Sequence, residues 1–464
     1  MGLCAGGDIE NMEDWSAAEH RVELAQRLYE SGDYLKAANE LRSAISVNPY
    51  NASWHFNLAL TLDALGQYEQ AVGAYHSALE LEPEDVETLN GLGVDFTRLA
   101  RYPSALECFE KVQKIDPSYE PGYCNRIITY SEMGEHDQAE VMFYLARQIK
   151  AECPLCMYNI AGSLFDRGQY RKAIGCWEDC LRQDSQHPQV HARIGDSFWA
   201  MGELEKARDH YVCQLRMDPG DIDTLLDLGE LQGEMGEYAQ AAEKFRRVLE
   251  QEPDNPAAYF ALGELAFKQN DLPTAERHLR LVLKLDRHYP QSHQKLGEVM
   301  LRQGKLTHAG VHLLAEVRQV GDDVTALLEL GQLLLEARKI RQASVVLAKA
   351  AQLQPDNAGA EHSLAVSHFL MKDLDRGILH CRKALKLRPD YAMALYNLAL
   401  AHMQRGQLAR ARRYAAKAMV TAPTDGNIRD LAARLGVMGF WFRLSDRLTG
   451  AARGLFHHLR KLAK

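Results

Sequence analysis

Apolar residues recur along this chain at helical spacing, in two blocks per 34-residue period, with a turn between the blocks. The stretch "MGEYAQAAEKFRRVLEQEPDN", residues 235–255, shows half of one period. Gly236 opens a turn, Ala241 follows it, Phe245 lies one helical turn further on, and Pro253 closes the block. The same order returns at Gly32 and Ala37, Gly66 and Ala71, Gly134 and Ala139, Gly168 and Ala173, Gly202 and Ala207, Gly304 and Ala309, and Gly406 and Ala411. Where the turn glycine is missing, Ala105, Ala275, Ala343 and Gly377 hold the phase. Twelve periods fit between Ala18 and Asp425 without an insertion.

Two further columns give the pattern a packing meaning. A small residue precedes each of these alanines by twelve positions, as at Ala25, Ala59, Gly93, Gly195, Gly263 and Gly331; Ile127 breaks the column. A large apolar residue often follows by four, as at Leu41, Tyr75, Phe109, Trp177, Tyr211 and Leu347. Small residues let two helices approach, and the large one fills the gap that is left. Glycine turns the chain between the helices, and proline ends the second helix. One such hairpin cannot bury its apolar face alone, whereas stacked hairpins can. The pattern therefore predicts an all-α solenoid of about twelve helix-turn-helix units. It places a leader of flexible chain at 1–17, the repeats at 18–425, a solvating cap helix within 426–438, and a separate segment at 439–464.

These columns resemble the tetratricopeptide repeat family over about nine-tenths of the chain. The resemblance implies a right-handed superhelix whose first helices line a concave groove. It also implies protein or peptide ligands held in that groove, and binding rather than catalysis. No phosphate loop, nucleophile elbow or metalloprotease His-Glu pair contradicts a non-enzymatic reading, and the residues call for no cofactor.

The groove-facing column of the first helices carries Asn57, Asn125, Asn159 and Asn397 among other residues. These resemble the asparagine ladder in the repeat domain of O-GlcNAc transferases, where amides hold an extended peptide backbone. An amide both donates and accepts, so it suits any peptide bond. A recognition subunit for a transferase of that type is one function this implies. The lysines of the family's chaperone-tail clamp are replaced by Ser53, Pro121, Leu155 and Met393, so that ligand is not expected. The next column adds Asp196, Glu230, Glu264 and Glu298; with Asp223, Asp227, Glu234, Glu329 and Glu336 it predicts an acidic inner wall over the sixth to tenth repeats. Such a wall attracts basic segments in a salt-dependent way. The plainer alternative is a solvated helix face.

Charge changes the picture at the carboxyl end. The whole chain carries a net charge of -9, which argues against nucleic acid as a partner. From Ala392 onward there are 13 Lys/Arg against 3 Asp/Glu, a net of +10, so the rest carries -19. Residues 439–464 combine an apolar stripe that includes Trp441 and Leu455 with Arg443, Arg447, Arg460 and Lys461; Phe442 and Phe456 add aromatic surface. A basic amphipathic helix of this kind docks on a protein, packs on the solenoid end, or lies on an anionic membrane as a peripheral anchor. An acidic body and a basic end also permit head-to-tail self-association.

Nine cysteines without an export signal predict reduced thiols in a cytoplasmic setting. Cys153 and Cys156 meet Cys176 and Cys180 across one predicted hairpin, with His187 near, and two such pairs have zinc-like spacing. Cys180 also fills a column occupied elsewhere by Ala44, Ala78 and Ala146, which favours simple packing. Cys108, Cys124, Cys213 and Cys381 read as packing residues. His210, His278, His312 and His380 share a second-helix column and read as surface residues.

Overall fold

The computed structural model describes residues 6–437, with side chains from Trp15 onward. The tail segment 439–464, with Trp441, Phe442, Arg443, Arg447, Leu455, Phe456, Arg460 and Lys461, lies outside the described residues. Among those residues there are 25 α-helices and no strand. The chain divides into two compact units, Met1–Met235 and Gly236–Lys464. Within each unit, neighbouring helices pack as antiparallel hairpins, and each hairpin packs on the next.

The first helix begins at Gly6, well before the repeat phase starts at Ala18. Part of the expected leader is therefore helical. The physical reason is that no glycine or proline stands between Asp8 and Glu30 to stop the helix. At the other end, the cap forms as a helix at Gly426–Arg434. Its buried Ile428 packs with Leu395 and Ala418, while Leu431 and Ala432 join Ala399 and Ala411.

Local chemistry explains the hairpins. Asn51, Asp85, Asp221, Asn255, Asp323, Asn357 and Asp425 cap the helices that follow them by accepting a backbone N–H two or three residues on. The turn position has a positive φ in every repeat. Glycine supplies it eight times, for example Gly32 at 81° and Gly236 at 79°. Ala100, Asn270, Arg338 and Lys372 supply it elsewhere, at φ between 54° and 64°.

The small and large columns meet as the sequence implies. A Cβ on Gly195 would come within 2.8 Å of the Tyr211 ring, and one on Gly331 within 2.4 Å of Leu347. Tyr211 and Leu347 are fully buried. In each unit, successive first helices also touch one another, as Glu120–Glu132 touches Pro154–Asp166. Second helices meet the first helix of the following hairpin instead. This crowding places the first helices on the inner face of each unit.

The histidine column departs from expectation. His210, His278, His312 and His380 are half-buried within hairpins, each against the residue nineteen positions earlier. The Nδ1 atoms of His191 and His210 are 3.2 Å apart, and those of His293 and His312 are 3.0 Å apart. His278 stacks on Tyr259, and His380 contacts the Glu361 carboxylate at 2.6 Å. Burial holds His312 down to about 4, helped by the neighbouring His293. The column faces the partner helix of its own hairpin, so these rings pack rather than solvate.

Candidate functional site

The inner face of the amino-terminal unit holds an acidic cleft. It lies between the helices Val190–Ala200 and Ile222–Glu234 and is lined by Arg193, Asp196, Asp221, Asp223 and Asp227. Asp221 is committed to capping, since it accepts from the Thr224 backbone N–H at 3.2 Å and from the Thr224 hydroxyl at 2.8 Å. Asp196 accepts from the Tyr211 hydroxyl at 2.7 Å and lies 3.4 Å from Arg193 Nη1. Trp199 Nε1–H donates to Glu234 at 2.9 Å, tying the two first helices together.

Asp227 is the most perturbed acid here. Burial, reinforced by the charges of Asp196, Glu230 and Asp223, pushes its carboxyl up to about 7. Arg193 offsets this in part. The cleft thus holds more negative charge than its own cation balances.

The carboxy-terminal unit is arranged differently. Lys295 Nζ lies 3.1 Å from Glu264 and 4.0 Å from Glu298. Gln294 Nε2 donates to Glu298 at 3.3 Å and to Glu329 at 3.5 Å. Lys295 therefore offsets part of the negative charge here, one cation beside the carboxylates of Glu264, Glu298 and Glu329. Lys295 stands in the groove-facing column one repeat after Glu264, and its long side chain spans the gap between successive first helices.

The asparagines are unevenly committed. Asn125 Nδ2 donates to Asn90 Oδ1 at 2.9 Å, and Asn159 Nδ2 donates to the Cys124 carbonyl at 3.4 Å. Each amide reaches the preceding first helix, so part of its capacity is spent inside the protein. Asn397 contacts His362 in the same way, at 2.9 Å. Asn57 is exposed and lines an open cleft with Val22, Tyr29, Leu60 and Thr61.

The cysteines assemble in a way the spacing did not reveal. Cys124, Cys153 and Cys156 converge with Glu120, and their four ligand atoms lie within 4.8 Å of one another. Cys124 and Cys156 are joined as a disulfide, with Cα atoms 5.3 Å apart. Cys124 is thus more than packing. Cys176 and Cys180 do not belong to this group; Cys180 is buried among apolar neighbours, and Cys176 is partly exposed. His187 stacks on Tyr158 and also lies apart. No helix among the described residues is long and apolar enough to cross a membrane.

Two sequence profiles, both described as tetratricopeptide repeat, match this chain: one at residues 158–222, 226–291 and 328–392, the other at 28–93 and 368–435. No curated protein sequence matches. Solved structures that resemble it include the Cut9–Hcn1 hetero-tetramer of the APC/C, at 15% identity, 90% of this chain, 96% of that chain and a TM-score of 0.40. Yeast Tom70 resembles it at 14% identity, with 94% of this chain and 99% of that chain covered and a TM-score of 0.40. PilF of Pseudomonas aeruginosa does so at 20% identity, covering 47% of this chain and 97% of that chain, with a TM-score of 0.40.

Proposed function

The chain belongs to the tetratricopeptide repeat family, whose repeats serve as protein–protein interaction scaffolds, and we propose that it binds a basic, extended peptide segment in its amino-terminal unit. The observation that carries this reading is the Asp196–Asp223–Asp227 cleft, in which burial and like charge hold Asp227 up to about 7. An incoming lysine or arginine relieves that repulsion, so the cleft gains free energy from a cation that solvent alone does not supply. Asn57, Asn125 and Asn159 would bind the peptide backbone on the same inner face. Their amide oxygens accept N–H groups, and Asn57 offers its whole amide. The scaffold works without catalysis in this reading.

The test is a titration of the full chain with a fluorescent Lys/Arg-rich peptide and with the same peptide carrying Glu in place of each basic residue. The basic peptide should bind at least about tenfold tighter in low salt, and the difference should collapse at high salt. Equal binding of the two peptides would overturn the reading.

A further inference from the structure

The cysteine cluster has the features of a closed metal site. Its donors come from the first helices of two successive repeats, Glu120–Glu132 and Pro154–Asp166. Glu120 and Cys124 are one turn apart on the same face of the first of these helices. Cys153 is the N-cap of the second helix, and Cys156 lies in its first turn. The Cys156 backbone N–H donates to Cys153 Sγ at 3.1 Å, which orients that sulfur. Cys153 is one of several residue types in its column. The matching positions hold the better caps Asn51, Asp85, Asp221, Asn255, Asp323, Asn357 and Asp425, and Tyr119, His187, Tyr289 and Tyr391 in other repeats.

One sulfur–sulfur distance already suits a tetrahedral ion. Zinc–sulfur bonds of about 2.3 Å place two sulfurs of a tetrahedron about 3.8 Å apart. Cys124 Sγ and Cys153 Sγ are 3.8 Å apart. All three sulfurs belong to buried residues, and the Glu120 carboxylate is held by Lys150 at 3.0 Å. That lysine orients the oxygen and offsets the negative charge left when three thiolates and a carboxylate surround a dication.

We propose that the reduced protein binds one zinc ion through Cys124, Cys153, Cys156 and Glu120, and that the Cys124–Cys156 disulfide is the metal-free oxidised state of the same site. A small dithiol reductant passes two electrons and two protons to the Cys124–Cys156 bond, giving two thiols and its own disulfide. Zinc then displaces three protons, one from each cysteine, while Glu120 enters as carboxylate. In either state the site fastens the first helix of the fourth repeat to that of the fifth.

The test uses the full chain purified with and without a dithiol reductant. Metal content is measured by plasma mass spectrometry, and the apo protein is titrated with Co(II) in visible absorption. The expected result is one zinc per reduced chain, none in the oxidised chain, and an intense tetrahedral Co(II)–thiolate spectrum. Cys153→Ser and Cys124→Ser should each weaken metal binding by at least about tenfold, and Glu120→Gln by about tenfold. Cys176→Ser, outside the cluster, should bind as the parent does. Glu120→Gln leaves every sulfur in place, so it tests the site even where a cysteine variant does not fold. Less than one-tenth equivalent of zinc in the reduced chain, or a Co(II) spectrum unchanged by Cys153→Ser, would overturn the proposal.

Discussion

The two inner faces each set one cation among several carboxylates, but at different places. In the amino-terminal unit, Asp223 and Asp227 extend the charge of Asp196 beyond what Arg193 balances. In the carboxy-terminal unit, Lys295 lies between Glu264 and Glu298 and offsets part of their charge. A carboxylate column therefore says little about a ligand until its cations are located. One lysine ties part of such a wall into an internal ion pair, and a surface pair of that kind contributes only about 0–1 kcal/mol to stability.

The largest expected effect separates the two faces directly. Replacing Asp196, Asp223 and Asp227 with Asn should weaken a basic peptide at least about tenfold and flatten its salt dependence, measured by fluorescence anisotropy. Replacing Glu264 and Glu298 with Gln should change the same affinity less than about twofold. The converse exchange sharpens the contrast: Lys295→Gln should release both glutamates and raise basic-peptide affinity severalfold at low salt. No gain would show that the faces differ in something other than this cation.

A smaller effect links binding to stability. With Asp227 raised to about 7, the folded chain holds a proton there that the unfolded chain has lost above its ordinary value of 3.8. This residue's contribution therefore falls as pH rises from about 4 to about 7. Asp227→Asn should stabilise the protein by roughly 1–2 kcal/mol near pH 8, with the gain fading towards pH 4 in denaturant titrations. The same variant should bind basic peptide more weakly, the exchange of stability for function found at strained sites. The smallest effect lies in the turns. Ala100→Gly removes a left-handed alanine at φ 54° and should add about 0.5–1 kcal/mol, whereas Gly66→Ala, at φ 71°, should cost about 1 kcal/mol.

The architecture was legible because its cause is periodic. The spacing of Ala37, Ala71 and Ala139 is the spacing of hairpins, and the Gly195–Tyr211 contact is the packing that spacing implies. The sites were less legible because they depend on neighbours across repeats. Spacing sets Cys156 near Cys180 on its own hairpin, yet its bonded partner is Cys124 on the preceding first helix. Successive first helices touch, and a one-dimensional alignment of columns hides which side chains span that contact. The reach of Asn159 Nδ2 to the Cys124 carbonyl and the place of Lys295 between two glutamates are hidden for the same reason. The histidine column was visible, but its direction was not, because the residue nineteen positions earlier decides whether a ring packs or solvates.

The most direct measurement is photo-cross-linking of a basic peptide to the full chain, with the cross-linked residues read by mass spectrometry. The account expects them on Val190–Ala200 and Ile222–Glu234, around Asp196 and Asp227. Cross-links concentrated instead on Pro256–Lys268 and Ser292–Arg302, around Glu264 and Glu298, would contradict it.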